Sequence, residues 1–281
     1  MNLSGSIGFS LLSNKNKNIL VFADAHSDVK YCENNFIKIS EFFKNLLNNE
    51  NYQILIEEVN RSQVKLLELW PNSEHIQNLK NLYLNNKNKV IPIDIRPYFY
   101  NFYWEMIVED EYKDYGNILF KDYLSDLNFF FTRSKKISKE KSYLIFNEKI
   151  EDIIIDENYK EIIKNHYQKI KNSYLFYIKL CEKFLNNKLI DILNNNKNLL
   201  HLLDNLLSSI MEWYCIVLML STNKISIIHI GLFHSRDIVN NLVNMYGFKI
   251  NEENGITKNP KDTLLSCVLL SKKMLKQIKI N

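Results

Sequence analysis

The chain has 281 residues, of which 46% are hydrophobic and 24% charged, the composition of a globular protein large enough to bury a core. Its 36 basic and 32 acidic side chains leave a net charge of +4, with the lysines scattered among Asn and Glu. A nucleic-acid track needs a clustered basic stripe with aromatics beside it, so no nucleic-acid partner is expected.

The segment from Met1 to Ser13 lacks the basic start and continuous apolar core of a signal peptide. The longest apolar run, Trp213 to Leu220, is too short to span a bilayer, so no membrane is expected either. Cys32, Cys181, Cys215 and Cys267 show neither zinc-finger spacing nor a disulfide framework. Cys215 and Cys267 lie in apolar runs, as buried free thiols do. Together these features predict a soluble, cytoplasmic protein in a reducing compartment. Abundant Asn, Lys and Ile with only 6 Gly and 4 Pro accompany AT-rich coding, as in some large DNA viruses and some parasites or bacteria, and carry no functional information.

In chain order, Asn18 to Ala23 (NILVFA) predicts a strand buried on both faces. Glu33 to Asn48 carries Phe36, Ile37, Ile39, Phe42, Phe43, Leu46 and Leu47 at helical spacing. Tyr52 to Ile56 is a second strand. Ser73 to Leu84 reads as a helix with Ile76, Leu79, Leu82 and Leu84 as its stripe and Ser73 as its N-cap. Val90 to Ile95 (VIPIDI) is a third strand, which Pro92 assigns to an edge. Such alternation predicts parallel βαβ units with the strand C-termini on one rim, where open α/β sheets bind ligands.

Residues 98–222 read as a helical insertion or cap, with Ser142 to Phe146 its one strand candidate and Asn196 to Leu220 containing a long apolar helix. Lys224 to Ile230 (KISIIHI) returns to strand character, and Ser235 to Tyr246 is a helix ended by Gly247. Leu264 to Leu270 is the last strand candidate. The expected fold is α/β: a mostly parallel central sheet flanked by helices, in a single domain spanning residues 1–281 with the helical cap inserted.

Polar side chains gather where the buried strands end. Asp24-Ala25-His26-Ser27-Asp28 follows the first strand, and Glu57-Glu58 with Asn60 and Arg61 follows the second. Asp94 and Arg96 close the third, and His229-Ile230-Gly231-Leu232-Phe233-His234 ends the late strand. Carboxylates that end buried strands need partners, because a bare buried charge is costly. Each residue also has a structural explanation: His26 as a loop histidine, the glutamates as the start of a solvated helix, Asp94 and Arg96 as an ion pair. The joint occurrence marks His26, Glu57, Glu58, Asp94, Arg96 and His234 as candidate site residues. Arg96 shares a strand face with Asp94 and is expected to pair with Asp94 or Glu57. His229 reads as a satisfied core histidine, and His75, His166 and His201, in helical segments, are set aside. His and Glu together suit a divalent transition ion, and equally general acid–base work without one.

These residues resemble the superfamily that joins the erythromycin-esterase-like proteins, the ChaN-like haem-binding proteins and the TraB/Tiki-type metalloproteases. Gly231-Leu232-Phe233-His234 matches its late GxxH motif, Ala23-Asp24-Ala25-His26 its first, and Glu57 the strand-ending Glu. Met211-Glu212-Trp213-Tyr214 resembles an acidic-aromatic motif of some members. Ala23 stands where the first motif has glycine, and Leu218 where an arginine is expected. The resemblance covers residues 18–97 and 205–250. It implies an α/β core with a helical cap and with His26, Glu57 and His234 around one site. The residues themselves then lead to the expectation of a hydrolase, assisted by a divalent ion (Mn, Zn or Co) on those three or by a histidine base, with Glu58 or Asp24 orienting water or taking its proton. The substrate, a small molecule or a peptide, is left open. The two departures point to an alternative, an inactive homologue serving as a binding or host-interaction module. A calcineurin-like phosphoesterase fits Asp24-Ala25-His26 but lacks its following GD and GNH motifs.

Overall fold

Runs of Ile, Leu, Val and Phe build the middle of a six-stranded mixed sheet in the computed structural model. Residues 1–15, 17–26, 30–33, 35–59, 73–100, 102–108, 110–132, 156–257 and 265–279 are described. Ser27, Asp28, Asn60, Arg61 and the strand expected at Ser142–Phe146 lie outside the described residues.

The chain forms two compact units. The first comprises Met1–Glu58, Leu67–Ile93 and Cys215–Asn281, the second Val59–Leu66 and Asp94–Tyr214. The second unit takes the place of the insertion expected at 98–222.

The N-terminal part of the first unit runs β1 (Asn2–Ser4), β2 (Gly8–Asn14), β3 (Lys17–Asp24), β4 (Lys30–Tyr31), β5 (Phe36–Lys38), α1 (Ile39–Leu46), β6 (Tyr52–Ile56), α2 (Glu74–Asn85) and β7 (Val90–Pro92). Among the described residues, the second unit holds α3 (Phe120–Tyr123), α4 (Ser125–Thr132), α5 (Glu157–Cys181) and α6 (Leu189–Asn195). Helix α7 (Lys197–Leu220) leads back into the first unit, which ends with β8 (Ile225–Gly231), α8 (Leu232–Asn244), β9 (Lys249–Gly255), β10 (Leu265–Leu269) and α9 (Lys272–Gln277). The most apolar 18-residue stretch of α7 has a mean hydropathy of 1.3 and is 72% buried inside the protein, which accounts for its composition.

The central sheet has the order β7-β6-β8-β3-β2-β9. β7, β6, β8 and β3 are parallel, while β2 and β9 extend the sheet antiparallel. The architecture is thus the expected α/β one, a mostly parallel sheet flanked by helices. β8 is buried at all 7 positions and is paired on both of its edges. Charged Lys249, Glu252 and Glu253 keep the outer strand β9 from templating a further partner.

At the other edge, β7 is shorter than expected and stops at Pro92. Asp94 and Arg96 lie beyond it, and Arg96 opens a 3₁₀ turn, Arg96–Tyr98. The expectation that both share a strand face is therefore corrected.

A second sheet, β4-β10-β1-β5, was not anticipated, and the expected late strand belongs to it. Leu3 and Val268 from this sheet join Phe9, Phe22, Phe42, Phe43, Ile54 and Ile227 in one core. The rings of Phe22 and Phe42 meet edge-on at 6.0 Å, a favoured aromatic geometry.

Cys32 and Cys267 form a disulfide across this second sheet, with Cα atoms 5.1 Å apart. The ladder between β4 and β10 pairs Leu265 with Lys30 and Ser266 with Tyr31, so its next step brings the two cysteines side by side. This corrects the expectation of free thiols and removes the premise for a reducing compartment. Cys181 and Cys215 are buried and lie outside that bond.

The bond spans 235 residues of sequence, so it strongly restricts the unfolded chain. Cys267→Ser is expected to lower stability by about 2–5 kcal/mol. Urea unfolding with and without reductant checks this, and reductant should not affect the variant.

Helix α5 buries Tyr159, Ile163, His166, Ile170 and Tyr174 along one face. Burial, helped by the charge of Lys169, pushes His166 down to about 4, below its unfolded value near 6.5. The native state then binds fewer protons than the unfolded state between these values. His166 therefore costs no stability above pH 6.5, and stability is lost as pH falls towards 4. His166→Gln should reduce the stability lost between pH 7 and pH 4, by roughly 3 kcal/mol at most. Urea titrations at a series of pH values measure the difference.

Candidate functional site

Alternation along the parallel strands decides which side chains meet. Phe22 pairs with His229 and Asp24 with Gly231, so Asp24 and His229 lie on the same face of neighbouring strands. Asp24 is only 1% exposed, and its carboxylate needs partners inside the protein. His75 Nε2 lies 2.7 Å from one oxygen, and His26 Nδ1 lies 2.8 Å from the other. The backbone N–H of His26 also donates to that second oxygen at 3.1 Å.

That last contact turns the chain back sharply. His26 adopts φ 53°, the left-handed region that non-glycine residues rarely occupy. Its ring lies over Gly231, and a Cβ at Gly231 would sit 2.6 Å from His26 Nε2. Gly231 has φ −53°, so the backbone does not require glycine there; the close approach of the imidazole does.

Glu57 follows β6 and reaches the same place. Its Oε2 accepts from the Gly231 N–H at 2.7 Å and lies 3.1 Å from His26 Nε2. Its Oε1 lies 3.8 Å from Nε2 of His234, in the first turn of α8. Three adjacent parallel strands, β6, β8 and β3, thus bring His234, Glu57, His26 and Asp24 into one chain of contacts at their C-terminal ends.

Charge follows from this geometry. Burial disfavours a charged His26, but the Glu57 and Asp24 carboxylates outweigh it and push the imidazole up to about 10. Burial would raise Asp24, yet hydrogen bonds to His26 and His75 and the neighbouring His229 hold it well below the usual carboxylate range. His229 is driven down to about 4 by burial, and its Nε2 lies 2.9 Å from the Gly5 carbonyl. A carbonyl only accepts, so the neutral ring donates from Nε2.

Of the candidates, His26, Glu57 and His234 come together. Glu58 is next in the chain, half-buried, with its N–H donating to the Ile56 carbonyl at 2.8 Å. Asp94 and Arg96 belong to the second unit, where they pair with each other in a two-pronged contact of 2.8 and 2.9 Å. In the acidic-aromatic segment, the Trp213 indole donates to the Ile163 carbonyl at 3.2 Å within the second unit.

His75, set aside as a helical histidine, is the residue sequence reasoning missed. It is buried together with Leu79, Leu82 and Tyr83 on α2. Its position four residues before Leu79 was the available signal. Ser73 precedes α2 as expected of a cap, but its hydroxyl lies 3.2 Å from His75 Nδ1 and makes no capping hydrogen bond.

Compared with models of known families, with curated proteins and with solved structures, the chain matches none.

The tie between Glu57 and His26 can be measured directly. In Glu57→Gln, removal of the carboxylate should lower the His26 titration midpoint from about 10 by about one unit or more. Gly231→Ala should act in the same direction by displacing the ring. Imidazole NMR across a pH series, on metal-free protein, gives both midpoints.

Proposed function

We propose that the protein is a hydrolase whose centre is His26, Glu57 and His234, working with a divalent metal ion. The observation that carries this is the placement of Asp24 behind His26. A carboxylate at Nδ1 fixes the ring and turns Nε2 towards Glu57, and metal-binding histidines characteristically have such an outer partner.

The donor set fits an ion in type. Two imidazoles and a carboxylate suit a first-row divalent ion such as Zn, Co or Mn. Donors bound at about 2.1 Å to one tetrahedral ion stand roughly 3.4 Å apart. Glu57 meets the two imidazoles through different oxygens, at 3.1 and 3.8 Å, so an ion bound by all three residues would draw them closer together.

When bound, the ion would bring the pKa of a water towards ~7 and so supply a nucleophile at neutral pH. The protein's own groups hold the parts in place. Asp24 has both oxygens engaged by imidazoles and acts by orienting them. The Gly231 N–H holds one Glu57 oxygen. Glu58, next in the chain after Glu57, would be the group that takes a proton. The substrate class is an ester, a peptide or a phosphoester.

A metal-free centre is the second reading, favoured by the same contact, since Asp24 also orients His26 as a general base would require. Calorimetry of the metal-free protein with Zn²⁺, Co²⁺ and Mn²⁺ separates the two. Micromolar or tighter binding is expected, weakened well beyond tenfold by His26→Ala and by His234→Ala. If no ion binds while ester, peptide or phosphoester panels still turn over, the histidine base stands. If neither is found, the chain is a binding module, for which the Ala23 and Leu218 departures speak.

A further inference from the structure

Behind the centre lies a second group of donors to which the proposed hydrolysis gives no ligand role. Asp24, His75 and His229 are all buried and offer donor atoms within 4.8 Å of one another. They come from β3, from the first turn of α2 and from β8, three elements whose packing in one core fixes their spacing. We propose that these three residues form a second, buried site for a first-row divalent cation, beside the His26–Glu57–His234 centre.

The chemistry of the set supports a cation. One carboxylate and two imidazoles are a borderline-soft N₂O donor set, which suits Zn²⁺ or Co²⁺ better than Mg²⁺ or Ca²⁺. Each imidazole also has an outer partner on a ring nitrogen, as metal-binding histidines do. Ser73 Oγ lies 3.2 Å from His75 Nδ1, leaving Nε2 towards Asp24. The Gly5 carbonyl takes the Nε2 proton of His229 and leaves the Nδ1 lone pair as its donor. Gly5 itself has φ 102°, and a Cβ there would stand 2.6 Å from the Ile39 side chain and 3.1 Å from the His75 Cβ, so glycine lets the chain pass here.

His75 lines a cavity of about 170 Å³ together with Ser4, Lys38, Ser40, Glu74 and Asn78, and Lys38 pairs with Glu74 on that wall. The His75–Asp24 contact of 2.7 Å is a hydrogen bond that the cation would replace, with the atoms moving apart by roughly 0.7 Å to the spacing of donors on one ion.

The second site is independent of the ion proposed at the rim, although Asp24 touches both, and one titration distinguishes them. Chelator-treated protein is titrated with Co²⁺, followed by calorimetry and visible absorption. The wild type is expected to take up two equivalents, and His234→Ala to retain one, with a d–d spectrum of nitrogen and oxygen ligation. Adding His75→Gln to His234→Ala should abolish that remaining equivalent, or weaken it well beyond tenfold. His229→Gln, which approaches from β8, should do the same and serves if circular dichroism shows that His75→Gln does not fold.

The second site is overturned if His234→Ala binds no Co²⁺, or if its remaining equivalent survives both glutamine variants. A wild type that binds one equivalent, lost in His75→Gln and kept in His234→Ala, upholds the buried site and removes the ion from the rim centre. The opposite pattern removes the buried site and leaves the proposed hydrolase standing.

Discussion

The fold around the rim is organised by one buried charge. Asp24 ends a strand that is apolar along most of its length, and an uncompensated carboxylate at such depth costs several kcal/mol. Two imidazoles reach it from downstream in the sequence, His26 from two residues away and His75 from 51 residues away, in the first turn of α2. Satisfying the first forces the left-handed turn at His26. Satisfying the second sets how α2 enters the core and diverts the Ser73 hydroxyl from capping. The charge is thus a constraint on backbone path as much as a chemical group.

The two glycine-type motif positions then have different physical meanings. At Gly231 a methyl group would collide with the His26 ring, so only glycine fits. At position 23 the methyl of Ala23 packs with Ile7 and Leu232 in a small apolar cluster and obstructs nothing. A methyl group at position 23 is therefore compatible with the site geometry, whereas one at Gly231 is not. Leu218 lies buried near the end of α7, where an apolar residue suits its surroundings.

The legible parts of the sequence are those with long-period signals. β3, β6 and β8 are continuous apolar runs, and the polar residues after them stand out by contrast. His26, Glu57 and His234 were visible for that reason. The second sheet was not, because β1, β4 and β5 have 3, 2 and 3 residues, too few to show alternation. Its disulfide was hidden for the same cause, since pairing of Cys32 with Cys267 follows from strand neighbours that the sequence does not advertise. His75 belongs to the buried stripe of α2, where a polar residue reads as a flaw in the pattern until its partner is known.

The order in which the sheets interleave bears on how the protein is made. β8 pairs with both β3 and β6, yet it is translated about 200 residues after β3, and β10 must wait longer still to meet β1 and β4. At ordinary elongation speeds the β8-facing edges of β3 and β6 remain open for roughly 10–40 s, long enough to meet those of other nascent chains. A chaperone that shields those early strands until β8 emerges would raise the yield of folded protein more than one acting after release. The apolar segments around β3 and β6 are where such a helper would bind.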